Sequence, residues 1–175
     1  MKNHRKVLYL IFSLLSLTVK AQFDISDNAA ELRLGKSLFQ GDNVSLAFYR
    51  NFENGSTQGL SAFAEFSRKN NLTYSSYGFS YLAGYYIPDT KESIIRIKGE
   101  VGLLISLENE PHIHRSNSWT KRLGAAALLQ GTCEILLSDM ISLPVSAQQQ
   151  VYIYNQSGVK HFLATVGVRL KLPSL

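Results

Sequence analysis

The feature that most limits how this chain can fold is a two-residue alternation that persists from about Asn43 to Leu172. It is carried by segments of about 10–15 residues, separated by short runs of turn-forming residues, which points to strands and not helices. Turns are read at Glu53-Asn54-Gly55-Ser56, Lys69-Asn70-Asn71, Pro88-Asp89-Thr90-Lys91, Ser138-Asp139 and Asn155-Gln156-Ser157-Gly158. Asn, Asp, Gly and Pro there accept the backbone angles of a tight reversal. A weaker strand near Ala30 to Ser37 and a longer gap at Glu108–Thr120 bring the expected count to eight. An even number of strands joined in sequence order suits an up-and-down antiparallel meander.

The two faces of the alternation differ in chemistry. In the fifth segment Ile95, Ile97, Val101, Leu103, Ile105 and Leu107 fall on one side, and Arg96, Lys98, Glu100, Gly102 and Ser106 mostly on the other. The pattern recurs with Val44, Leu46 and Phe48 against Ser45, Ala47 and Tyr49, and with Phe162, Ala164, Val166, Val168 and Leu170 against His161, Thr165, Gly167 and Arg169. Strands of soluble sandwiches are usually about 5–6 residues long, whereas about 9–11 are needed to cross a bilayer on a tilt. Small residues crowd the polar side, as a narrow lumen filled with side chains requires. The sequence therefore predicts an all-β fold, an eight-stranded antiparallel up-and-down transmembrane (outer-membrane) β-barrel with its apolar face in lipid. Glu65, Arg96, Lys98, Glu100, Glu134 and Arg169 are expected inside, where opposite signs offset part of their desolvation. The competing fold is a soluble, lipocalin-like periplasmic barrel whose apolar residues would line a ligand cavity.

Residues 1–21 read as a cleavable signal peptide. Lys2, His4, Arg5 and Lys6 form a positive start, Val7 to Val19 is apolar apart from small hydroxyl residues, and Val19-Lys20-Ala21 suits a cleavage site before Gln22. Thirteen apolar residues fall short of the about 20 needed for a membrane-spanning helix. The expected mature chain, residues 22–175, is a single barrel domain in the bacterial outer membrane. Four of the 18 basic residues lie in the signal, leaving 14 against 13 acids, so the mature chain offers no field for gripping a phosphate backbone, and no direct nucleic-acid partner is expected. Cys133 is the only cysteine, which excludes an intramolecular disulfide framework. The apolar runs at Ile94–Leu107 and Leu123–Leu137 are broken by Arg96, Lys98, Glu100, Gln130 and Glu134, which a lipid-facing helix could not bury cheaply.

Aromatic residues near segment ends, Tyr85, Tyr86, Tyr152, Tyr154, Phe48, Phe52 and Phe162, are candidates for an interfacial girdle. Candidate chemistry is sparse. Glu108-Asn109-Glu110-Pro111-His112-Ile113-His114 contains metal-ligand types, but a long loop solvates such side chains without a metal, and no metal site is assigned. His161 could act as a general base beside Ser157 in a lipid-modifying barrel enzyme, but no positioned nucleophile accompanies it. No catalytic residue and no cofactor is expected, and the protein is not read as an enzyme. The glycines of Gly99-Glu100-Val101-Gly102 interrupt a strand with no helix after them, so they mark bends or close packing and not a phosphate loop.

Several segments together carry a family resemblance. Ala64-Glu65-Phe66, Gly84-Tyr85-Tyr86, Gly99-Glu100-Val101-Gly102, the run Glu134 to Leu143, Gln148-Gln149-Gln150, the run Ser157 to Phe162 and the closing run Gly167 to Leu172 occur in that order. Over about residues 58–172 the chain resembles the TraO family of conjugative-transposon transfer proteins of Bacteroidetes. The resemblance implies a small outer-membrane barrel component of a conjugative DNA-transfer apparatus related to type IV secretion, with outer-membrane lipid and other apparatus proteins as partners. Eight strands leave an interior filled by side chains, so DNA would not pass through it and its role would be to anchor. With a periplasmic N-terminus, the turns at Glu53, Pro88 and Ser138 face the periplasm. The Glu108–Thr120 loop then faces outward, with His112, His114, Arg115 and Trp119 as candidate contacts for a partner subunit or recipient cell.

Overall fold

The computed structural model describes residues 25–37, 41–69, 72–87, 94–109, 122–154 and 160–172. The expected signal segment and the candidate contacts His112, His114, Arg115 and Trp119 lie outside the described residues, as do Ser157 and the expected turn residues of 88–91 and 155–158. Eight strands form in sequence order: β1 (Ile25–Ser37), β2 (Gly41–Phe52), β3 (Ser56–Lys69), β4 (Leu72–Tyr86), β5 (Ile95–Asn109), β6 (Arg122–Leu136), β7 (Ile141–Tyr154) and β8 (Lys160–Leu172). Each pairs antiparallel with its neighbour, and β8 returns to β1 to close the barrel. Closure leaves no sheet edge, and so no row of unpaired backbone groups. The first strand begins at Ile25, five residues before the expected start, because Ile25 to Ala29 pair with the far end of β2.

Two connections are resolved in detail at what we term the turn end of the barrel. Gly55 has φ of 83°, a left-handed conformation that glycine adopts freely, and its N–H donates to Phe52 O at 3.0 Å. Asn54 Oδ1 accepts from the Ser56 N–H at 2.9 Å. At the β6–β7 turn, Ser138 Oγ accepts from the Ile141 N–H at 3.1 Å. The last residues of β1, β3, β5 and β7 and the first residues of β2, β4, β6 and β8 lie at the opposite, loop end. Strand β5 runs unbroken through Gly99 and Gly102. Gly102 serves close packing, since a Cβ there would sit 2.1 Å from Tyr81 O.

The barrel is inside out relative to a soluble protein. Large apolar side chains such as Leu46, Phe79, Ile105, Leu129 and Val166 are exposed on the outer face, and the lumen holds Glu31, Arg33, Lys98, Glu100, Glu134 and Arg169 at 5% exposure or less. That arrangement overturns the soluble ligand-binding alternative, which requires the apolar rows to line the interior. Among the described residues, buried apolar side chains cluster as Leu82, Leu104, Ala126, Leu128 and Tyr152 with Phe63 against them in the loop-end half, and as Ala29, Ala47 and Tyr49 toward the turn end.

Candidate functional site in the lumen

The turn-end half of the lumen is closed by a layer of ions. It forms because inward positions on six strands carry charge or phenol at neighbouring levels. Glu31 and Arg33 come from β1, Tyr49 from β2, Tyr86 from β4, Lys98 and Glu100 from β5, Glu134 from β6 and Arg169 from β8. Arg169 is the hub. Its Nε donates to Glu31 Oε2 at 2.7 Å, and its Nη1 donates to Glu134 Oε2 at 2.9 Å and to the Tyr86 hydroxyl at 2.6 Å. The Tyr86 hydroxyl in turn donates to Glu134 Oε2 at 2.7 Å, and Ser142 Oγ donates to the other oxygen of that carboxylate. Arg33 donates from Nε to Glu31 and from Nη2 to the Tyr49 hydroxyl at 2.8 Å.

A second branch holds Lys98. Its Nζ donates to Glu100 Oε1 at 2.8 Å, while Glu100 Oε2 accepts from Gln130 Nε2 at 2.6 Å. The Tyr49 ring lies between the branches, with Lys98 Nζ 3.9 Å, the Arg169 guanidinium 4.6 Å and the Arg33 guanidinium 5.7 Å from its centroid. Its negative π-face is therefore shared by cations that would otherwise repel one another. Gly59 admits the ring, because a Cβ there would meet Tyr49 Cε1 at 2.4 Å. Three cations and three carboxylates balance, and this is what allows so many ions to leave water together.

Of the expected interior charges, Lys98, Glu100, Glu134 and Arg169 belong to this layer. Glu65 is inward but half-buried, nearer the loop end. Arg96 is a correction: it has inward parity but is exposed, because it sits at the very start of β5, beyond Lys98, the last β5 residue paired with β4. Its side chain therefore leaves the barrel at the rim. Two girdle candidates are corrected as well. Tyr86 and Tyr152 point into the lumen, whereas Tyr85 is exposed on the outer face. Phe48 is outward, midway between Leu46 and Arg50 on β2. His161 also faces inward, its ring 5.1 Å from that of Tyr152, so the imidazole is not presented to the lipid side.

Glu31, Arg33 and Tyr49 were not singled out from the sequence. Glu31 and Arg33 alternate with Leu32 and Leu34 just as Lys98 and Glu100 alternate with Ile97 and Val101, so the signal was present. Toward the loop end, the layer gives way to a cavity of about 30 Å³ lined by Arg33, Asn43, Ser61, Ser80, Gln148 and Thr165, among others. That is room for about two waters. Among the described residues, no three metal-ligating side chains come together.

No protein-family model and no curated protein sequence matches the chain. Solved structures do match. The N-terminal β-barrel domain of Pseudomonas aeruginosa OprF is 13% identical with a TM-score of 0.57, covering 86% of this chain and 100% of that one. Neisserial surface protein A (NspA) is 13% identical with a TM-score of 0.59, covering 83% and 95%. The attachment invasion locus protein Ail of Yersinia pestis is 10% identical with a TM-score of 0.55, covering 83% and 97%. The chain is thus a closed eight-stranded antiparallel barrel of the kind bacteria place in their outer membranes.

Proposed function

We propose that this protein is an integral outer-membrane barrel that acts as an anchor and not as a conduit, and that it serves a conjugative DNA-transfer apparatus. The observation that carries the first part is the ionic layer. Arg169 joins β8 to β1 and β6, Lys98 and Tyr49 lie beside it, and the cavity lined by Arg33 and Gln148 above them is water-sized. Such a lumen passes neither DNA nor folded protein.

The second part rests on the ordered segments resembling the TraO family. Tyr86, Glu100, Glu134 and Arg169 of those segments all belong to the ionic layer. Such motifs suit a structural element rather than a reaction, and the reading assigns no turnover to His161. Partners are outer-membrane lipid and other apparatus proteins, the latter met through the outward loops. Two measurements test the proposal. Purified protein in planar bilayers should show no stable conductance, and a stable conducting state would refute the anchor reading. Deleting the gene from a donor strain should abolish element transfer, with recovery on supply in trans; unchanged transfer would refute the conjugative assignment.

A further inference from the structure

The outer face carries an inference that rests on the membrane reading but goes beyond it. Register allows outward residues to be levelled against one another. From Val44, one outward row runs through Ala64, Tyr77 and Leu107 to Leu123. In the other direction it runs through Leu34, Val166 and Val145 to Cys133. The rows reach β6 ten residues apart, the shear of the barrel, so the β6 position level with Val44 is the midpoint, Leu128. By the same step Leu46 is level with Gln130.

The apolar belt is uneven about this level. On β2 the outward charges Asp42 and Arg50 each lie four residues from Leu46. At about 3.3 Å per residue and a tilt of about 40°, they stand about 20 Å apart along the barrel axis. Asp42 is paired with Lys36 of β1 at 3.0 Å, both side chains more than 70% exposed. Arg50 lies in a polar row between its register partners Asn28 and Gln58. Across the barrel, the outward residues from Leu123 to Leu137 are only Leu, Ala, Gly, Cys and Ile, seven residues either side of Gln130. That stretch rises about 35 Å. β5 is apolar from Ile95 to Leu107, and β7 from Ile141 to Ile153 except for Gln149, whose amide donates to the carbonyls of His161 and Gln150. A typical belt is about 25 Å tall.

The short and tall faces share one centre, so tilting the barrel cannot reconcile them, and Asp42 is too short to reach far toward water. We infer that the β1–β2 face thins the bilayer, drawing phospholipid headgroups toward Lys36, Asp42 and Arg50, while the β5–β7 face holds a full-thickness membrane.

Nitroxide labels in the full chain, refolded into palmitoyl-oleoyl phosphatidylcholine vesicles, test this. Val44→Cys and Phe48→Cys, each made with Cys133→Ala, lie two residues from the Leu46 level. Ala127→Cys with Cys133→Ala, and native Cys133, lie three residues from the level of Gln130. An even bilayer makes the first pair deeper by oxygen-to-nickel-chelate accessibility; thinning inverts the order, making the first pair shallower. Replacing Lys36, Asp42 and Arg50 together by Leu should restore the order set by level. Depth following level in the parent protein overturns the inference, as does shielding of positions 44 and 48 from both reagents, which would mean that another chain covers this face. Nickel access at 127 and 133 would instead refute the membrane reading itself.

Discussion

Replacing Arg169 by Met isolates the worth of the ionic layer. The substitution keeps much of the stem volume but removes the guanidinium that joins Glu31 at 2.7 Å and Glu134 at 2.9 Å. Glu31 keeps Arg33, but among the described residues Glu134 keeps only the hydroxyls of Tyr86 and Ser142 as hydrogen-bond donors, and the layer is left with one excess negative charge. Stripping one partner from a buried pair costs about 3–5 kcal/mol. The Arg169 and Glu134 side chains are 4% and 5% exposed, so solvent screening offsets little of this. With a urea dependence of about 2 kcal/mol per molar, the unfolding midpoint should fall by about 2 M. The assay is equilibrium unfolding in vesicles, read as loss of the fast-migrating unboiled band. The double variant Arg169→Met with Glu134→Gln restores charge balance, and should recover about 1–3 kcal/mol relative to the sum of the single changes. Lys36→Ala, which breaks an exposed pair, should cost less than about 1 kcal/mol. If Arg169→Met proves as mild as Lys36→Ala, the layer is solvated and the reasoning fails.

Other outcomes follow from the same geometry. Leu129→Arg, next to the level of Gln130 on the outer face, should destabilise the barrel in vesicles by about 2–4 kcal/mol; a neutral result would show that this face is not in hydrocarbon. Gly59→Val should displace the Tyr49 ring and cost about 1–3 kcal/mol or more by overpacking, measured as the same midpoint shift. Gly131→Ala, whose new methyl group points into open space, should change the midpoint little or raise it. Gly55→Ala should lower stability by about 1 kcal/mol because it forces a left-handed residue into the β2–β3 turn.

The sheet was legible because period two is imposed by the pleat and survives any sequence that must show lipid one face and a packed lumen the other. The turns at Glu53–Ser56 and Ser138–Asp139 were legible for a related reason: Gly55 and the Asn54 and Ser138 side chains satisfy local backbone geometry that no distant contact alters. Parity alone did not locate the ends of the lumen. Arg96 and Lys98 share a face, yet Lys98 is buried and Arg96 is in water, because the pairing of β4 with β5 stops at Tyr86 and Lys98. Tyrosine was ambiguous for a chemical reason. A phenol can anchor at a lipid interface or accept from a guanidinium, and Tyr85 and Tyr86 divide between an outer-face position and an ionic contact only because they are adjacent on a strand. Which carboxylate meets which arginine was not legible, since Glu31 and Arg169 are brought together only by the closure register.

That closure register couples topology to charge. Glu31 and Arg169 are direct cross-strand partners on the first and last strands, separated by 138 positions along the chain. A chain still missing its final strand holds Glu31, Glu100 and Glu134 against only Arg33 and Lys98, an acidic, water-seeking hollow. The lumen can dry out only as the cylinder zips shut, so a nascent or truncated form would remain hydrated and distinguishable from the finished one until its last dozen residues dock.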